Sequence, residues 1–128
     1  MEYIAYKYPS VTFFVYKKYI IAEVKKGVDI YKTEANALKE VAQKHFAKEF
    51  GLIDYRQPEI SINPNVYNHI KDTFQEPKLA AFALVSKSNL TQHNYVLEKK
   101  FMDELGITSK FFYSLDEAKK WMGNILGK

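Results

Sequence analysis

A chain of 128 residues with 47% hydrophobic and 27% charged positions and a net charge of +4 amounts to one domain, able to bury roughly two-thirds of its unfolded surface. It contains no cysteine, which excludes disulfides, thiolate catalysis and sulfur-ligated zinc, and fits a reducing compartment. Met1-Glu2-Tyr3-Ile4 does not resemble a secretory leader, and no apolar stretch approaches the length of a bilayer. The expectation is a soluble, cytoplasmic protein without stable membrane insertion.

The basic balance raises the question of nucleic acid. Of the 19 basic residues all but Arg56 are lysine, spread along the chain among 15 acids. Lys17-Lys18, Lys25-Lys26, Lys99-Lys100 and Lys119-Lys120 fall at turns or on polar helix faces, where lysines are ordinarily solvated. With a single arginine to fork onto guanine or phosphate, nucleic acid is not an expected partner.

In chain order, Glu2 to Tyr8 reads as an edge strand stopped by Pro9-Ser10. Val11 to Tyr16 and Tyr19 to Val24, rich in β-branched and aromatic residues and separated by Lys17-Lys18, read as a hairpin. Gly27 permits a turn before Val28 to Tyr31. Thr33 is placed to cap a first helix, with Ala35, Leu38, Val41, Ala42, His45 and Phe46 on one stripe and Gly51 ending the region. Leu52 to Tyr55 is then the first parallel crossover strand, broken at Arg56-Gln57-Pro58-Glu59. Ile60-Ser61-Ile62 leads to Asn63-Pro64, a cap followed by proline at the first helical position, and Val66, Tyr67, Ile70 and Phe74 form the stripe of a second helix that Pro77 stops.

Leu79 to Val85 is the longest uninterrupted apolar run. It is too short for a helix and too apolar for a half-wet strand, so it reads as a central strand buried on both faces. A third helix follows from about Leu90 to Leu105, with Leu97, Phe101 and Leu105 repeating at four, Met102 widening the stripe and Gly106 at the C-cap. Ile107 to Tyr113 carries the last strand. Ser114-Leu115-Asp116-Glu117 is a capping box, and Ala118, Trp121, Met122, Ile125 and Leu126 complete the stripe of a closing helix. The expected fold is α/β: a single-domain mixed sheet, an N-terminal antiparallel hairpin plus parallel crossover strands, flanked by about four helices.

Several of these segments resemble a known family. The hairpin Val11 to Val24 with Gly27, the strand end Asp54-Tyr55-Arg56, the segment Ser61 to Tyr67, the apolar strand, Glu98-Lys99-Lys100-Phe101, and Phe112 to Trp121 with Glu117-Ala118-Lys119-Lys120-Trp121 are similar to small proteins of the STAS superfamily, SpoIIAA-like branch. The resemblance covers most of the chain from Val11 onward. It implies a mixed sheet flanked by helices and a non-catalytic role, since the best-known members are partners of anti-sigma kinases and cytoplasmic domains of anion transporters. Phosphorylated antagonists in the family carry Asp-Ser-x-Gly. The matching strand end here, Asp54-Tyr55-Arg56-Gln57, has neither serine nor glycine, so the phospho-switch motif is not present. Nearby Ser61, Ser86 and Ser88 read as turn or cap residues.

The chemistry-bearing residues are sparse. Five glycines build no dinucleotide fingerprint or phosphate loop. His45, His69 and His93 recur once per helix-plus-strand round, which needs no metal to explain it. Glu23, between Ala22 and Val24, faces solvent or lines a groove. No nucleophile elbow or paired carboxylate is recognisable, so an enzyme is not expected and no cofactor is implied. Trp121 and Met122 with nearby lysines read as core packing rather than a membrane-facing helix.

Topology supplies the candidate site. Ligands of parallel sheets gather beyond the carboxyl ends of the strands, which here carry Asp54, Tyr55, Arg56, Ser86, Lys87, Ser88 and Asn89. Arg56 either clamps a carboxylate or phosphate there, or pairs with Asp54 or Glu59 and ties the loop down, the commoner arrangement. The expected function is a regulatory or protein-interaction module with an unidentified protein partner, a second copy of the chain included. The alternative is a carrier or sensor of a small anionic or lipid-like ligand at the strand ends.

Overall fold

A computed structural model describes residues 3–25, 29–30, 32–56, 61–62, 76–87 and 89–127. Strands β1 (Ile4–Lys7), β2 (Val11–Val15) and β3 (Tyr19–Val24) are followed by β4 (Asp29–Ile30), helix α1 (Lys32–His45), β5 (Glu49–Arg56), β6 (Ser61–Ile62), β7 (Lys78–Val85), α2 (Asn89–Glu104), β8 (Thr108–Phe112) and α3 (Leu115–Ile125). The main sheet has six strands in the order β1-β2-β3-β5-β7-β8. The first three are antiparallel neighbours, and β5, β7 and β8 are added in parallel. β4 and β6 pair separately as a two-stranded parallel sheet, too short for periodicity to reveal.

The hairpin forms as its sequence suggests. Val11, Phe13 and Val15 turn into the core while Thr12 and Phe14 alternate outward, the period of two expected of a strand with one buried face. Lys17-Lys18 is the turn, closed by the Tyr16 amide donating to the Tyr19 carbonyl at 2.8 Å. The run Leu79 to Val85 lies between β5 and β8, and of its seven residues only Ala80 is even partly exposed. Two-sided burial explains why it shows no polar alternation.

From β3 to β5, β7 and β8 the chain steps across the sheet in one direction. Right-handed crossovers then require α1 and α2 to share a face. They do: Leu38, Val41 and Ala42 of α1 and Tyr95 and Met102 of α2 join one core cluster with Phe13, Ile20, Phe50, Leu52, Phe82 and Leu84. The opposite face has its own cluster, in which Ala118 and Met122 of α3 meet Ile21, Ile53, Ala81, Ala83, Val85 and Phe112. α3 packs on β5, β7 and β8, over a floor of small residues. A Cβ added at Gly51 would overlap Met122 Sδ, so glycine is what lets the helix settle there.

Helix ends follow local chemistry. At the end of α2 the Ile107 amide donates to the Met102 carbonyl at 2.9 Å and Gly106 to Asp103 at 3.1 Å, with Gly106 at φ +74°. This is a Schellman cap, including the apolar contact of Ile107 with Met102 in one cluster. Ser114 caps α3 by accepting from the Glu117 amide at 3.5 Å. Because that bond is long, Ser114→Ala is expected to cost about 0.5 kcal/mol, the low end for a lost cap, read as a small drop in the urea midpoint at unchanged m-value.

Four expectations need correcting. Gly51 does not end the first helical region: α1 stops at His45 and Gly51 lies inside β5, which begins at Glu49, three residues ahead of Leu52. α1 also starts at Lys32, one residue before the expected cap Thr33. Leu97 is not on the buried stripe of α2 but 76% exposed, while Tyr95, Glu98 and Met102 face inward and Phe101 and Leu105 are half-buried. The helix is turned by an acid that the apolar pattern discounts. On α3, Ile125 is exposed rather than packed. The expected second helix, with Asn63, Pro64, Val66, Tyr67, Ile70 and Phe74, lies outside the described residues. Three helices are therefore described where about four were expected.

Candidate functional site

Asp54 and Arg56 sit two residues apart near the carboxyl end of β5, so both point to the face covered by α1 and α2. Glu98 descends onto them from α2. The guanidinium grips Glu98 through two parallel bonds, Nη1 to Oε2 at 2.8 Å and Nη2 to Oε1 at 2.7 Å. On its other edge Nε donates to Asp54 Oδ2 at 3.0 Å, and Nη2 lies 2.9 Å from the same oxygen. All three residues are buried, at 4 to 6% exposure. This is a carboxylate-guanidinium-carboxylate triad whose planar fork no lysine could reproduce.

The triad is unequal. Both oxygens of Glu98 are engaged, whereas Asp54 Oδ1 is buried with no hydrogen-bond partner among the described residues. With both acids ionised the cluster would hold one uncompensated negative charge away from water. Burial therefore pushes the Asp54 carboxyl above the usual carboxylate range; Arg56 pulls the other way by charge and hydrogen bond, and Glu98 adds to the upward push. Burial alone would lower Arg56, but the two carboxylates outweigh it and hold the guanidinium further above its ordinary value.

The remaining candidates are divided by the sheet. Ser86, just past β7, is fully buried and extends the face that carries Asp54 and Arg56, its amide donating to the Phe112 carbonyl at 3.1 Å. Tyr55 points to the opposite face, half-buried. Lys87 is exposed. Ser88 and the side chain of Asn89 lie outside the described residues, as does Glu59. Arg56 thus meets one of its two anticipated partners, Asp54, together with one that was not anticipated. In the sequence Glu98 stands out only as part of the segment Glu98-Lys99-Lys100-Phe101. Its signal is an acid three residues after Tyr95 and four before Met102, facing a lone arginine at a strand end. Close by, Tyr95 Oη donates to Ser109 Oγ at 2.8 Å, satisfying two more buried hydroxyls.

The chain matches no known protein family, curated protein or solved structure. What it can do is read from its own geometry.

A second feature lies across the sheet. Where α3 covers β5, β7 and β8, the same face of β1 and β2 carries Ala5, Lys7, Thr12 and Phe14, with Tyr3 and Tyr16 just beyond the strand ends, all exposed or half-buried. Tyr3 packs edge-on to Phe14 at 5.3 Å between ring centroids, and Tyr16 stacks on Tyr19 at 5.0 Å. Lys119 of α3 reaches over Tyr16, its Nζ 5.6 Å from the ring. Glu23 on the same face is exposed, which answers the question of its orientation. His45 is half-buried on the other side and shares a 2.6 Å hydrogen bond with Tyr6 Oη; the side chains of His69 and His93 lie outside the described residues. Among the described residues no three His, Asp or Glu side chains converge as a metal site, and no helix is long and apolar enough to cross a membrane.

Proposed function

We propose that this chain is a non-catalytic, cytoplasmic STAS-like module that binds a protein partner on the open aromatic face of β1 and β2. One observation carries it: among the described residues α3 packs chiefly on β5, β7 and β8, leaving Tyr3 exposed and Phe14 and Tyr16 half-buried in a contiguous aromatic strip. Tyrosines and phenylalanine held rigidly on a sheet offer large contact area at little cost in side-chain entropy, the property of interface anchors. Arg56 supports the same reading from the other face. An anion seeking it must first displace Glu98 or Asp54, which makes a carrier of small anionic or lipid-like ligands the weaker alternative.

The test places a photo-crosslinking benzophenone at Phe14 and, as control, at Gln43 on the exposed side of α1, in the cells that make the protein. A discrete adduct from position 14 alone, with a partner or with a second copy, is the expected outcome. Equal labelling from both positions, or none from position 14, overturns the reading.

A further inference from the structure

We propose that Asp54, Arg56 and Glu98 form a proton-linked latch: Asp54 keeps a proton while Glu98 is locked onto Arg56, and giving up that proton loosens the hold of α2 on β5. Three features of geometry lead there. Two carboxyl groups share one guanidinium, all are buried, and the fork is committed to Glu98 through both of its oxygens. Asp54 engages through Oδ2 alone, and Oδ1 meets no donor among the described residues. With no donor meeting Oδ1 among the described residues, a buried Asp54 carboxylate lacks compensation at one of its two oxygens, a loss that weighs less on the neutral carboxyl than on the charged one.

Nothing else charged faces Asp54 among the described residues. In register beside it stand Ala22 on β3 and Leu84 on β7; Val24 on β3 stands beside Arg56. α2 contributes Glu98, with Tyr95 one turn before it, while Lys99 and Asp103 pair with each other on the exposed side of that helix. Among the described residues, the charge balance of the cluster is therefore set within the triad.

The direction follows from linkage. A carboxyl whose value in the folded protein lies above its unfolded value, about 4, stabilises the docked state fully below that unfolded value. The contribution is lost as pH rises through the folded value. Undocking of α2 should rise by up to about tenfold per pH unit between those two limits and level off above. Glu98 is the residue through which the loss reaches α2, because among the described residues it is the charged side chain of that helix bonded to β5.

Hydrogen exchange of the α2 amides, corrected for intrinsic rates and followed from about pH 4 to 8, reads this directly, alongside the Asp54 carboxyl carbon resonance. The expected result is a fall in α2 protection that tracks the Asp54 titration while α3 amides do not follow. In Asp54→Asn, which fixes the neutral form, α2 protection should be flat with pH. Glu98→Gln covers the case in which that variant does not fold. Removing the second negative charge leaves a neutral Asp54–Arg56 pair, and the carboxyl should then titrate at lower pH than in the native chain. The latch is refuted if Asp54 is ionised throughout the range, if α2 and α3 lose protection in parallel, or if either variant keeps the native pH dependence.

Discussion

Replacing Arg56 by methionine is expected to lower unfolding stability at neutral pH by about 3–5 kcal/mol, the cost of stranding a buried charge partner. Two carboxyl groups would remain at 6% and 5% exposure with no cation between them. Both would then resist ionisation, so the loss should shrink as the pH is lowered and each takes up a proton. Urea unfolding at neutral and mildly acidic pH measures both quantities. Arg56→Lys should fall between native and methionine, since it restores charge without the planar fork that meets Glu98 at 2.7 and 2.8 Å. Replacing all three members by apolar residues of similar volume should recover most of the stability, as buried ion clusters contribute little net energy relative to good packing. A loss below about 1 kcal/mol for Arg56→Met, the range of solvent-exposed ion pairs, would mean that the triad is not closed in solution.

The second large effect is expected where α3 sits on the sheet. Met122 is fully buried, and its sulfur occupies the space that a side chain at position 51 would take. Met122→Ala should cost about 2–5 kcal/mol through the cavity it leaves. Gly51→Val should cost about 1–3 kcal/mol by overpacking against Met122 and Leu126. Made together, the two should cost less than their sum, because the valine fills part of the space the methionine vacates. That coupling, measured as a double-mutant cycle, is the signature of direct contact. Strict additivity would place α3 somewhere other than over Gly51.

Local pattern was enough for much of this architecture. The hairpin could be read from its β-branched and aromatic runs, the central strand from its bare apolar stretch, the end of α2 from Gly106 and the start of α3 from Ser114 and Glu117. Each is decided within a few residues, by backbone sterics or by a capping hydrogen bond. The errors fell where a distant residue decides. Gly51 looks like a helix terminator until α3 is known to rest on it. Leu97 looks buried until Glu98, its neighbour, is found turned inward toward Arg56.

The candidate site divides the same way. Asp54 and Arg56 could be paired from sequence because alternation along one strand puts them on one face. Their third partner, 42 residues further on, could not. Taken alone, the sequence determined the order and kind of the main-sheet strands and of α1, α2 and α3, the edge position of β1 and the burial of residues 79 to 85, all consequences of short-range periodicity. Only the tertiary structure decided that one guanidinium holds two carboxyls, that among the described residues one of those oxygens is left without a partner, and that α3 packs chiefly on β5, β7 and β8. Those depend on which elements meet, and long-range contact leaves no period in the chain.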